Sequence, residues 1–358
     1  MMQRNIKNKK PNTVKRVLGI ILLFFISFSL LSMIAASLVF NAVFQRREDD
    51  PYELKMQYSV KDEAAYPRES ISFLSGGQTI RGNIYSADNP SGIVIMVNGF
   101  QATGSSHLAE IFYFVDDGWA VLSFDGTGVG KSDGESVVGL EQGRRDVLAA
   151  IDYVAGSPRW SGMPIFLYGH SAGGYAVSTL CDDSRVCATV SISGFDSPRS
   201  MMKLYGEEYV GVLADISYPF LCAYDKLLFG RDGGVSAHTH IENAKCPVLI
   251  VQGTADEVVP FEQSIYYSCL PEYNSNVQLA LIEETYRNRH STAWLTADAA
   301  RDFLQLQRQQ ELAESAEPTS NTIQTLQENA VHSDEVLRQV DVDFLQNVSL
   351  FFRQALYK

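Results

Sequence analysis

The sequence is short of several things, and each shortage excludes something. Its 358 residues hold five cysteines, Cys181, Cys187, Cys222, Cys246 and Cys269. No two of them stand at the spacing of a zinc-ligand pair, so no metal site is expected. "CDDSRVC", from Cys181 to Cys187, is the pair best able to turn back on itself as a disulfide. The competing expectation is five small, buried, apolar residues. Residues 1–16 lack acids and carry Arg4, Lys7, Lys9, Lys10, Lys15 and Arg16. Residues 17–44, "VLGIILLFFISFSLLSMIAASLVFNAVF", lack charge of either sign. A bilayer core takes about 20 apolar helical residues, and a signal-peptide core only about 7–15. The run therefore predicts a transmembrane signal anchor, with a signal peptide cut near Ala35, Ala36 and Ser37 as the alternative. The basic flank predicts a cytoplasmic N-terminus and an extracytoplasmic body. That body is short of cations: with the six of the tail set aside, 23 Lys and Arg face 42 Asp and Glu, a balance of −19. Nucleic acid and anionic membrane are poor partners for such a surface. Internal repeats are absent as well.

What is present alternates. Residues 45–68 are charged and proline-punctuated, the composition of a linker. From residue 69 "ESISFLS" and "TIRGNIYSA" read as two strands joined at Gly76-Gly77. "GIVIMVNG", "WAVLSFD", "PIFLYGHS", "CATVSISGF", "PVLIVQG" and "VQLALIE" follow as strands, several of them continuous apolar runs suited to burial on both faces. Helical patterns lie between them, as at Val147, Leu148, Ile151 and Val154. This order predicts an α/β domain over 69–358 with a mostly parallel, doubly wound sheet. Residues 196–245 are too long for a loop and rich in Met, Tyr, Leu and Phe, which predicts a small helical cap. Residues 308–335 are polar and predict an exposed excursion before an amphipathic closing helix with Phe344, Leu345, Val348, Phe351 and Phe352 on one face.

The chemistry centres on "FLYGHSAGGYAV". Gly169-His170-Ser171-Ala172-Gly173 is G-x-S-x-G between a strand and a helix, the context that motif requires. A serine on so sharp a turn is exposed at the carboxyl end of the sheet, and the amide of Ala172 can stabilise oxyanion charge. A serine needs a base to take its proton and an acid to orient that base. In chain order the acid is Asp256, in the turn after "VLIVQG", with Glu257 as its substitute. The base is His290, which the last strand feeds directly, with His332 before the closing helix as its competitor. His107, His238 and His240 read as surface or packing residues. The second oxyanion amide belongs to the loop "VNGFQATGSS", Phe100 first and Gln101 second.

"SFDGTGVGKSDG" looks at first like a phosphate cradle. Counting back from Gly130, however, the required first glycine falls on Asp125, and Asp133-Gly134 interrupts the helix that should follow Lys131. A carboxylate where amides should hold phosphate has the wrong charge.

At these motifs the chain resembles the α/β-hydrolase superfamily, serine hydrolases with a cap before the acid-bearing strand. "GHSAGG", "GTADEVVP" and "NGF" carry the likeness, and Asp125, Gly128, Gly130, Ser132 and Gly134 match a turn common in that fold. Asn98-Gly99 departs from the His-Gly often found after the third strand. The resemblance implies a Ser171–His290–Asp256 triad with oxyanion amides at Phe100 and Ala172, working without metal or organic cofactor. It implies a small-molecule or lipid-like ester as substrate, with a peptide second. A hydrolase-shaped binding protein without catalysis is the alternative from another class.

Overall fold

The computed structural model describes residues 13–48, 52–211, 213–270, 274–317 and 319–357. Most of the basic tail thus lies outside the described residues. In chain order the elements are α1 (Thr13–Val43), α2 (Val60–Ala65), β1 (Arg68–Ser75), β2 (Gln78–Ser86), β3 (Ile93–Val97), α3 (Leu108–Asp116), β4 (Ala120–Asp125) and α4 (Leu140–Gly156). Then come β5 (Ile165–His170), α5 (Ala172–Ser178), β6 (Val186–Ile192), α6 (Pro198–Val210), α7 (Leu213–Phe229) and α8 (Ala237–Glu242). The chain closes with β7 (Val248–Gly253), α9 (Ile265–Cys269), β8 (Val277–Ile282), α10 (Ala297–Ser315), α11 (Ser320–Leu337) and α12 (Val342–Ala355).

The eight strands form one sheet in the order β1-β2-β4-β3-β5-β6-β7-β8. The β1–β2–β4 pairings are antiparallel and the rest parallel. β3 and β5 are buried along their whole length, which explains why their sequences run apolar without alternation. One face of the sheet packs on α4, α5, α8 and α9. The other packs on α3, α10, α11 and α12, with Trp119, Phe166 and Phe352 in mutual ring contact. The region expected to be a cap holds α6, α7 and α8 between β6 and β7, and of these α8 lies against the sheet.

One stretch differs from expectation in its packing. Residues 45–68 are fastened to the domain along much of their length. Met56 is fully buried, Ser59 caps α2, and Arg338 bonds Asp62 at 3.0 Å. The polar stretch 308–335 is largely a helical hairpin, α10 against α11. Over 308–335 itself most of the described residues are exposed, as expected, with Gln310, Asn329, Ala330 and Ser333 buried; the two helices enter the core just outside it, at Phe303, Leu306, Val336 and Leu337. So few apolar positions suffice because each helix buries only a narrow stripe. All five cysteines are free, and Cys181 is buried in the core, so "CDDSRVC" is not bridged.

α1 is long and apolar enough to cross a membrane. Its last turns pack on the cap: Phe40, Phe44 and Phe229 form a cluster, and Ser37 Oγ lies 3.1 Å from Tyr224 Oη. At the cap–core junction Glu141 of α4 and Asp225 of α7 are both buried. Burial pushes the Glu141 carboxyl up, and Asp225 beside it adds to the shift. Burial also raises Asp225, and it raises Asp146 on the same side of the sheet.

These raised carboxyls keep their protons in the folded state at pH values where the unfolded chain has lost them. The stability they contribute is therefore fully present below the unfolded value, about 4.5 for Glu141, and is lost as pH rises through the raised folded values. The thermal midpoint of Glu141→Gln, taken relative to wild type, should rise between pH 5 and 8. Parallel slopes for the two proteins would contradict it.

Candidate active site

β5 delivers Ser171 to the N-terminus of α5 with φ 56° and ψ −119°, a left-handed backbone that a residue with a Cβ rarely adopts. Close packing holds it there. A Cβ on Gly173 would lie 2.2 Å from the carbonyl oxygen of Val97, and one on Gly169 would lie 2.3 Å from that of Gly173. Only glycine lets β3, β5 and α5 approach so closely. The Ser171 amide donates to the Ile192 carbonyl at 2.9 Å, fastening the turn to β6.

The structure brings Asp256 and His290 together although they come from separate loops. His290 Nδ1 lies 2.9 Å from Asp256 Oδ1 and 3.0 Å from Oδ2. Asp256 Oδ1 also accepts from the amides of Val258 and Val259, and Oδ2 from Gln252 Nε2 at 3.1 Å. The carboxylate is thus held in one orientation with no exposed side-chain surface. Nδ1 must carry the proton to meet it, which leaves Nε2 as the free basic nitrogen. No hydrogen bond joins Nε2 to Ser171 or to any other of the described residues. Glu257, the substitute acid, is half-exposed and 3.7 Å from Arg289. His332, the competing base, sits exposed on α11 beside Glu335. His238 and His240 lie on α8.

Sequence reasoning missed what holds His290 to the Ser171 turn. His170 Nε2 lies 2.9 Å from the His290 carbonyl, and because a carbonyl only accepts, that nitrogen is protonated. Burial, then the neighbouring His290 and His107, hold the His170 imidazole well below its ordinary pKa, so it stays neutral. His107 is buried and paired with Glu110 at 2.6 Å, and both His107 and His170 pack on Trp294. No periodicity or spacing in the sequence marks this cluster.

The loop after β3 passes close to the serine: a Cβ on Gly99 would lie 3.4 Å from Ser171 Cβ. Asn98 Nδ2 donates to the Phe124 carbonyl at 3.2 Å, tying that loop to the end of β4. Phe100 and Ala172, the residues expected to supply oxyanion amides, both line a cavity of about 70 Å³. Val97, Leu140 and Ala176 form part of its apolar wall, and Asn98, Gln101, Thr127, Gln142 and Asp146 are polar residues that line it.

The turn "DGTGVGKSDG" forms the neighbouring rim. Asp125 accepts from the amides of Gly104 and Lys131, at 2.7 and 2.9 Å. Its carbonyls face a cation: Arg46 donates to the oxygens of Gly130, Ser132 and Gly134 at 2.7, 3.0 and 2.7 Å. This polarity is the opposite of a phosphate cradle, and Lys131 is exposed.

Residues 88–206 match the family model described as serine aminopeptidase, S33. An esterase from Pyrococcus furiosus shares 18% identity with the chain and superposes over 69% of it and 91% of the esterase, with a TM-score of 0.51. A second crystal form of that esterase gives 17% identity, 66% and 90% coverage, and the same TM-score. No curated protein sequence matches the chain. The fold is that of the α/β hydrolases.

Gly173→Ala should destabilise the protein by about 1–3 kcal/mol, the usual cost of forcing volume into a packed site. Gly156→Ala, whose added Cβ meets nothing within 4 Å, should leave the melting midpoint nearly unchanged. Equal midpoints for the two variants would contradict the packing account.

Proposed function

We propose that the chain is a membrane-anchored serine hydrolase that cleaves an ester, or an amide, outside the cytoplasm. The observation that carries this reading is the strained Ser171 turn, with the buried His290–Asp256 pair tied to it through His170. Ser171 Oγ attacks the substrate carbonyl while His290 Nε2 takes its proton. Asp256 holds the imidazolium that results, and the amides of Ala172 and Phe100 stabilise the oxyanion. His290 then gives the proton to the leaving group, and the acyl-enzyme forms. Water, deprotonated by the same nitrogen, releases the acyl group and restores Ser171.

The helix α1 supports the anchor, and the basic residues before it support a cytoplasmic N-terminus. The substrate is a small-molecule or lipid-like ester. A peptidase is the second reading, favoured by the description of the matching family model. A non-catalytic binding protein has little reason to keep a strained serine and a buried acid–histidine pair together.

Hydrolysis of a short-chain aryl ester by the full-length protein tests this. Wild type should turn over, His290→Ala should lose about 10³-fold or more, and Asp256→Asn about 10⁴-fold, as in serine triads generally. His332→Ala should keep wild-type activity. Loss with His332→Ala but not with His290→Ala would reassign the base. Parallel rates on aminoacyl amides would sort esterase from peptidase.

A further inference from the structure

The short stretch where α1 ends does more than connect. Phe44 is buried, and its ring meets that of Phe100 edge-on, with centroids 5.5 Å apart. One residue on, the Gln45 carbonyl accepts from Gln101 Nε2 at 3.1 Å. Phe100 and Gln101 are the first and second candidates for the oxyanion amide, and Gln101 holds a left-handed φ of 58°. Residues 44–47 also run beside the rim turn. Val137 N donates to the Phe44 carbonyl at 2.9 Å, Arg47 N to Gly128 at 2.9 Å, and Gly130 N to Arg47 at 3.0 Å. Arg46 fills the carbonyl ring of that turn.

We propose that Phe44–Arg47 is a positioning strap, by which the end of the membrane anchor sets the oxyanion loop against Ser171. This rests on the hydrolase reading above and adds a role for the anchor within it. Phe100 is 39% exposed, so much of its ring faces away from the protein interior. Phe44 is the one ring in contact with it among the described residues. With that ring removed, the Phe100 amide loses its backing while Ser171, His290 and Asp256 keep every contact described above. Cutting the chain between Phe44 and Arg47 would have the same effect. A cut near Ala35–Ser37 would leave the strap on the body, so release from the membrane at that point preserves activity.

The test uses the full-length protein in detergent, with active sites counted by fluorophosphonate so that misfolded molecules drop out. Per counted site, Phe44→Ala should lower kcat on an aryl ester about 10- to 100-fold, below the loss typical of deleting an oxyanion donor outright. KM should stay within about threefold. Affinity for a trifluoromethyl ketone, whose adduct carries the oxyanion, should fall in parallel with kcat/KM. Phe44→Tyr, which keeps the ring, should restore both. Gln101→Met removes the side-chain bond to Gln45 while keeping the backbone amide, and it should show the same pattern in milder form if Phe44→Ala fails to fold. Unchanged kcat per counted site, or ketone affinity that holds while kcat falls, overturns the strap. A wild type that takes up no fluorophosphonate overturns the hydrolase reading instead.

Discussion

The structure depends on one crowded crossing, where the turn at Ser171 passes under the end of β3. Backbone strain of this kind costs about 1–3 kcal/mol and persists only where the surroundings leave the chain no alternative. Here they do. Gly173 lies against the Val97 carbonyl, and Ser171 N is bonded to Ile192. Relaxing the turn would mean separating β3, β5 and β6 at their carboxyl ends, in the most buried part of the sheet. The position of the serine is thus fixed by the sheet itself. His290 and Asp256, in contact with each other, stand in the loops that follow β8 and β7.

Those loops are in turn over-determined. Asp256 takes hydrogen bonds from two backbone amides and Gln252 besides the imidazole, so its orientation does not depend on His290. His290 is held from behind through its own carbonyl by a neutral, buried His170. The residue before Ser171 therefore helps to place His290. The loop after β3 is fastened by Asn98 to β4 and meets the end of α1 at Phe44 and Gln45. The rim turn with Asp125 at its head links the two, because its amides and carbonyls bind both Asp125 and Arg46.

Much of this was legible in the sequence. Continuous apolar runs marked the buried strands, and G-x-S-x-G in a strand–helix context marked the elbow. The expected chain order singled out Asp256 and His290, which the structure places in contact. Other features were hidden for physical reasons. The hairpin of α10 and α11 buries only narrow stripes, so its composition reads as exposed and polar. Residues 45–68 look like a tether because their attachments are hydrogen bonds and single rings, which leave no periodicity. The turn after β4 looked like an anion site because glycine spacing records backbone shape. Whether its amides or its carbonyls point inward depends on the fold, and here the carbonyls receive Arg46.

The central claim is that Ser171 is the nucleophile of an active serine hydrolase. The most direct measurement is peptide mapping by mass spectrometry of the full-length protein after reaction with a fluorophosphonate. The account predicts one adduct, on Ser171, that is absent after denaturation before labelling and absent from Ser171→Ala. An adduct on another serine, or equal labelling of Ser171→Ala, would contradict it.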